Sequence, residues 1–138
     1  MPMVRRPVSV ILLSILNLVA SSWNGLRLLQ GIIFWSVMQS YKTRLGPIYI
    51  VISGGIWLVI GLVISWGLWE RKSWAWFATI ASTLSYGIWY WFDRLILQKP
   101  HDNWLFSLTI TFVLIVFSFS VLLSPKTRQS FLKDTYER

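Results

Sequence analysis

An all-α fold, a four-helix transmembrane bundle with both termini cytoplasmic, is predicted from three observations. Four apolar stretches fill almost all of the 138 residues, and each reaches the ~20 residues that a spanning helix needs. All five prolines (Pro2, Pro7, Pro47, Pro100 and Pro125) fall at or beyond the ends of those stretches, so none interrupts a span. The stretches also lack the alternation of barrel strands, and in hydrocarbon, where each backbone polar group must be satisfied internally, this leaves helices. Residues 1–138 then read as a single transmembrane domain.

The first span is expected over Val8 to Val37. Arg5 and Arg6 before the apolar run, with Ala20, Ser21 and Ser22 further on, imitate a secretory signal. Cleavage is not expected, because the apolar character continues through Leu26 to Trp35. Ser14, Asn17, Ser21 and Asn24 recur at helical spacing, which places them on one stripe that Arg27 continues.

The second span, Pro47 to Trp69, carries a seam of Gly54, Leu58, Gly61 and Ser65, thinned further by Gly55 and Gly67. Small residues at that spacing let two helix backbones approach closely. The third span, Trp74 to Leu97, offers Ala75, Ala78, Ala81 and Ser85 to receive the seam. Its own polar stripe, Thr79, Ser82, Tyr86, Trp89 and Asp93, is expected to face that of the first span and to hydrogen-bond across.

Arg27 and Asp93 each lie twenty residues beyond the start of their parallel spans, counted from Pro7 and Ser73, so both should sit roughly 30 Å along. Ionisable groups within a membrane usually face inward and pair, so an Arg27–Asp93 ion pair is expected near the outer interface. Reversing the charge at Asp93 alone should then lower the yield of folded protein, and exchanging the two residues should restore it. Independent effects of the two changes would reject the pair.

The fourth span, Trp104 to Leu123, is Phe, Leu, Ile and Val around its circumference, which makes it the expected lipid or partner face. Residues 125–138 follow as a short basic cytoplasmic tail. An offset of 66 residues relates Arg6 to Lys72, Trp23 to Trp89 and Arg27 to Asp93, which suggests a pseudo-repeat of two helical hairpins.

Charge sets the orientation. Arg5, Arg6, Arg71, Lys72, Lys126, Arg128, Lys133 and Arg138 fall on the side holding both termini, against Lys42, Arg44, Arg94 and Lys99 on the other. By the positive-inside rule the chain is a multi-pass protein of the cell (inner or plasma) membrane with both ends inside. The formal charge of +8 is scattered among joints and termini and is not gathered on one face. It therefore suits anionic lipid on the cytoplasmic side, and no nucleic-acid partner is expected. Trp66, Trp69, Trp74 and Trp76 near the inner boundary, and Trp35, Trp89, Trp91 and Trp104 near the outer one, read as aromatic belts.

Chemistry is sparse. The absence of cysteine excludes thiolate catalysis, disulfides and thiolate metal sites. His101, the only histidine, has no second ligand at metal spacing and reads as solvated beside Asp102. No phosphate-binding glycine loop, nucleophile elbow or pair of helical carboxylates is present. No enzyme activity, metal or tightly held cofactor is expected.

Arg6-Pro7 with Val10 and the run Leu13 to Leu18, then Gly67-Leu68-Trp69, Lys72 and Trp74-Ala75-Trp76, then Pro125, Arg128 and Phe131, form a pattern along the whole chain. It resembles a broad group of uncharacterised small prokaryotic four-span integral membrane proteins. The resemblance implies fold and topology, and no activity. Three functions compete: an accessory or structural subunit packed against larger membrane proteins, a small homo-oligomeric transporter or channel, and a membrane enzyme or a protein that binds lipid or quinone. Minimal soluble mass and absent chemistry favour the first, whose partners would be other membrane subunits or further copies of the chain.

Overall fold

The computed structural model describes residues 7–40, 45–97 and 103–136, with side chains described as far as residue 131. Arg5, Arg6, Lys42, Arg44, Lys99, His101, Asp102 and Arg138 lie outside the described residues. The described chain is helical, in the order α1 (Val8–Ile33), α2 (Trp35–Ser40), α3 (Gly46–Trp69), α4 (Ser73–Phe92), a π-helical turn (Asp93–Leu97), α5 (Trp104–Leu122) and α6 (Pro125–Tyr136). Among these, α1, α3 and α5 are long and apolar enough to cross a membrane.

Two ends differ from expectation. The first helix is interrupted at Phe34, although the i→i−4 ladder continues through Phe34 N–H to the Gln30 carbonyl (2.9 Å) and Met38 N–H to the Phe34 carbonyl (2.8 Å). The third keeps α-helical geometry only to Phe92 and widens into the π turn, where the Asp93 N–H meets the carbonyls of both Trp89 and Tyr90. Such a turn inserts a residue into the ladder and rotates the helix beyond it.

The contacts group into two compact units, Ile15–Trp66 and Met1–Ser14 with Gly67–Arg138. In the first of these, α1 and α3 form an antiparallel pair whose backbones touch at glycine. A Cβ on Gly54 would stand 2.9 Å from the Asn24 carbonyl oxygen and 3.0 Å from the Leu28 nitrogen, and one on Gly61 would stand 2.6 Å from Ser21 Cβ. The glycine seam of the second span therefore packs on the first span. Of the residues expected to receive it, Ala75 is buried with its Cβ 3.0 Å from where a Cβ on Gly67 would stand, Ala78 is half-buried, and Ala81 and Ser85 are exposed. Glycine explains the choice: it removes the Cβ layer on one helix and lets the side chains of the other reach backbone carbonyls.

In the second unit α4 packs against α5 and α6, and α5 against α6. The end of α3 closes with Lys72 N–H to the Gly67 carbonyl (2.9 Å) and Arg71 N–H to the Leu68 carbonyl (3.2 Å), the paired bonds of a Schellman cap. Arg71 takes the left-handed position of that cap, at φ +53°, where glycine is usual. Arg71→Val should lower stability by roughly 1 kcal/mol, because a β-branched residue is poorly tolerated there, while Arg71→Gly should not lower it. Thermal melts in detergent would check both, and equal melts for Arg71→Val and the parent would reject the cap.

Where a basic tail is expected, the structure has helix α6. Ser124 caps it: its Oγ accepts from Thr127 N–H at 3.3 Å, and Pro125 occupies the first helical position, whose missing N–H costs nothing.

Candidate functional site

Two polar groupings stand out, one in each unit. In the α1–α3 pair, Asn17 Nδ2 donates to the Gly61 carbonyl at 2.7 Å and to Ser65 Oγ at 2.8 Å, and Ser21 Oγ donates to the Leu58 carbonyl at 2.9 Å. Asn24, 1% exposed, donates from Nδ2 to the Ala20 carbonyl one turn back at 2.8 Å. Within this unit the stripe of the first span is thus engaged with α3. The period fixes which residues share a face, but it does not choose the neighbour.

On α4 the hydroxyls bond along their own helix, Thr79 to the Ala75 carbonyl at 2.6 Å and Ser82 to the Thr79 carbonyl at 3.1 Å. Tyr86 lies tilted against Trp89 with ring centroids 5.6 Å apart. Asp93, 3% exposed, opens the π turn. Arg27 belongs to the unit Ile15–Trp66 and Asp93 to the other, and each engages a partner in the fold. Ser14, buried on the first turns of α1, has no hydrogen-bond partner for its hydroxyl among the described residues.

The second grouping is a junction of helix ends. A Cβ on Gly67, near the end of α3, would stand 2.6 Å from the Trp74 ring at the start of α4. Trp76 Nε1 donates to the Leu122 carbonyl at 2.9 Å, satisfying an acceptor that the last turn of α5 leaves open. Ser9 Oγ and Thr127 Oγ1 share a hydrogen bond of 3.0 Å, which ties the start of α1 to the start of α6. Ser124 Oγ donates to Thr127 Oγ1 at 2.8 Å. Thr127 and Phe131 are buried, while Lys126, Arg128 and Gln129 are exposed. The sequence reading missed this docking, although the Ser124-Pro125 pair before a polar run is a helix-start signal.

A shallow groove of about 360 Å³ runs along α1, lined by Ile15, Leu18, Val19, Ser22, Trp23 and Leu26. All its walls come from one helix, so it is surface relief on an apolar face and lacks the convergent polar groups of a ligand pocket. No group of three or more His, Cys, Asp or Glu able to hold a metal exists among the described residues.

The distribution of polarity defines the class. Among the described residues the buried set holds nine polar or charged side chains against seven apolar ones, while Phe, Leu, Ile, Val and Trp crowd the exposed set. Water would reverse that arrangement, and with three helices able to span a bilayer it marks a helical membrane protein. No family model, curated protein or solved structure matches the chain.

Proposed function

We propose that the chain is a four-span integral membrane subunit with a structural or accessory role, packing against larger membrane proteins or further copies of itself, without catalytic chemistry of its own. The observation that carries this reading is where the polar groups are spent. Asn17 and Ser21, the groups best placed to line a solute path, are committed to carbonyls of α3. The outward surface is apolar, and along α5 only Ser118 and Leu122 are buried. A helix so bare meets lipid or another subunit. The sealed stripe weighs against the channel reading.

A fourth crossing by α4 is supported by connectivity. Trp74 against Gly67 and Trp76 on the Leu122 carbonyl hold the ends of α3 and α5 level with the start of α4. If α5 spans, it must begin at the far side, and α4 leads there from α3. Its 20 residues reach about 30 Å, the thickness of the hydrocarbon. Ser, Thr, Tyr and Trp make it less apolar than the other three spans. The Ser9–Thr127 bond supports placing both chain ends on one side, the basic, cytoplasmic one.

Gentle solubilisation of the native membrane, native-gel separation and mass spectrometry test the role. A defined assembly with a stoichiometric partner, or with several copies of this chain, is expected. A monomer in every mild detergent would count against it, and solute flux from the reconstituted chain would favour the transport reading instead.

A further inference from the structure

We propose that α6 and the joint between α3 and α4 form a binding surface for anionic phospholipid headgroups, with α6 docked as a strap at the membrane boundary. The inference rests on the membrane reading above and deepens it by naming a ligand class and the residues that hold it.

Depth comes first. Arg71 and Lys72 follow directly on the end of α3, and Lys126 and Arg128 lie four and six residues past the end of α5, both helices being long enough to span. The contacts of Trp74 with Gly67 and of Trp76 with the Leu122 carbonyl bring these two ends together. Trp69 and Trp74, 51% and 41% exposed, flank the joint as interfacial aromatics do. Side chains just beyond them stand at headgroup level.

Order comes second. A basic tail that served only to retain topology would need no fixed shape, since that rule acts through the count of charges near a span. Here the segment is a capped helix held by Phe131, 1% exposed, and by the Ser9–Thr127 bond. Its inner face is spent on docking. Its outer face shows Lys126, Arg128 and Gln129, with no large apolar side chain exposed between residues 125 and 131. That face is unsuited to entering acyl chains and suited to meeting phosphate.

Charge comes third. Lys126 and Arg128 are exposed and Arg71 and Lys72 half-exposed; among the residues with described side chains Glu70 is the one exposed carboxylate beside them, and Asp134 lies further along α6. Each cation held near an anionic leaflet should strengthen lipid binding roughly fivefold. The arginines can also grip phosphate with two parallel N–H bonds.

The test uses the purified full chain, reconstituted into vesicles of phosphatidylcholine containing 30% phosphatidylglycerol, about the proportion that gives a clearly anionic surface. Bromine placed on one lipid or the other quenches nearby tryptophan, and because all ten tryptophans contribute, the part of the quenching ratio that changes when the four cations are neutralised reads the lipid beside Trp69 and Trp74. The expected result is a several-fold preference for phosphatidylglycerol that 0.5 M salt, at roughly a 4 Å screening length, removes. The variant R71Q/K72Q/K126Q/R128Q should lose the preference, while K42Q/R44Q should keep it.

An unaltered chain with no preference at low salt overturns the proposal, as does a preference that survives in the quadruple variant. Should that variant fail to fold, the salt titration of the unaltered chain decides alone. Alkaline carbonate extraction separates the two readings. A chain that washes off the vesicles refutes the membrane assignment, whereas one that stays without lipid preference refutes only the headgroup surface.

Discussion

Gly54→Leu is expected to separate α1 from α3 and to lower the stability of the chain by roughly 3 kcal/mol, about 1–3 from overpacking and about 0.6 for each hydrogen bond lost with the close approach. The surroundings of the new side chain set this cost. A Cβ at Gly54 runs into backbone, the Asn24 oxygen at 2.9 Å and the Leu28 nitrogen at 3.0 Å, and backbone in a helix cannot step aside. The helices must move apart. Asn17 and Ser21 would then lose their reach to the Gly61 and Leu58 carbonyls. Gly55→Leu is the control, because a Cβ there meets only Leu28 Cδ1, at 3.1 Å, the mobile end of a side chain. Its cost should stay below about 1 kcal/mol. The ten tryptophans supply the signal for melts in detergent. If Gly54→Leu and Gly55→Leu melt alike, the glycine contact is not what holds the pair.

Packing thus outweighs hydrogen bonding in this pair, and the setting explains why. Between helices in lipid there is no hydrophobic driving force, so association draws on close contact and on polar bonds worth little individually. The buried set fits this: Ser21 and Ser65 are small groups that let backbones approach while their hydroxyls bond across the pair. Asn17→Ala should cost about 1 kcal/mol for its two bonds, clearly less than Gly54→Leu.

The helices themselves were legible in the sequence because a spanning run of apolar residues has few alternative meanings. The polar face of the first span was legible for the same kind of reason, since period alone puts Ser14, Asn17, Ser21 and Asn24 on one side. Its contact with α3 was not legible. Spacing assigns a residue to a face, whereas the contact with α3 depends on the bare backbone that Gly54 and Gly61 present to Asn24 and Ser21. Ala81 and Ser85 have the right size for a seam and stand exposed all the same. The π turn left no sign of its own, since Asp93 and Arg94 are followed by Leu95, Ile96 and Leu97, as a helix ending near the interface would be. Helix α6 was hidden by its charges: counting Lys and Arg identified the side of the membrane and drew attention from Thr127 and Phe131, which sit four apart on its buried face.

Phe131→Ala is the matching test of that last element, and it should release α6. Phe131 is the bulkiest of the fully buried side chains, and its truncation in a site that cannot collapse costs about 3–5 kcal/mol. Most of that loss should fall on docking, because α6 is the last described helix and meets the rest through α4, α5 and the Ser9 bond. The polar ties are weaker. Ser124→Ala removes the cap that holds Thr127 N–H, at about 1 kcal/mol, and Thr127→Val removes the bond to Ser9 at a similar cost. Native-state proteolysis reads these differences, since Lys126 and Arg128 are exposed on a helix that trypsin can cut only after it unwinds. At about 3 kcal/mol, Phe131→Ala should speed cleavage there on the order of a hundredfold, against about fivefold for Ser124→Ala. Equal acceleration by the two would mean that the cap, and not the aromatic anchor, holds the strap in place.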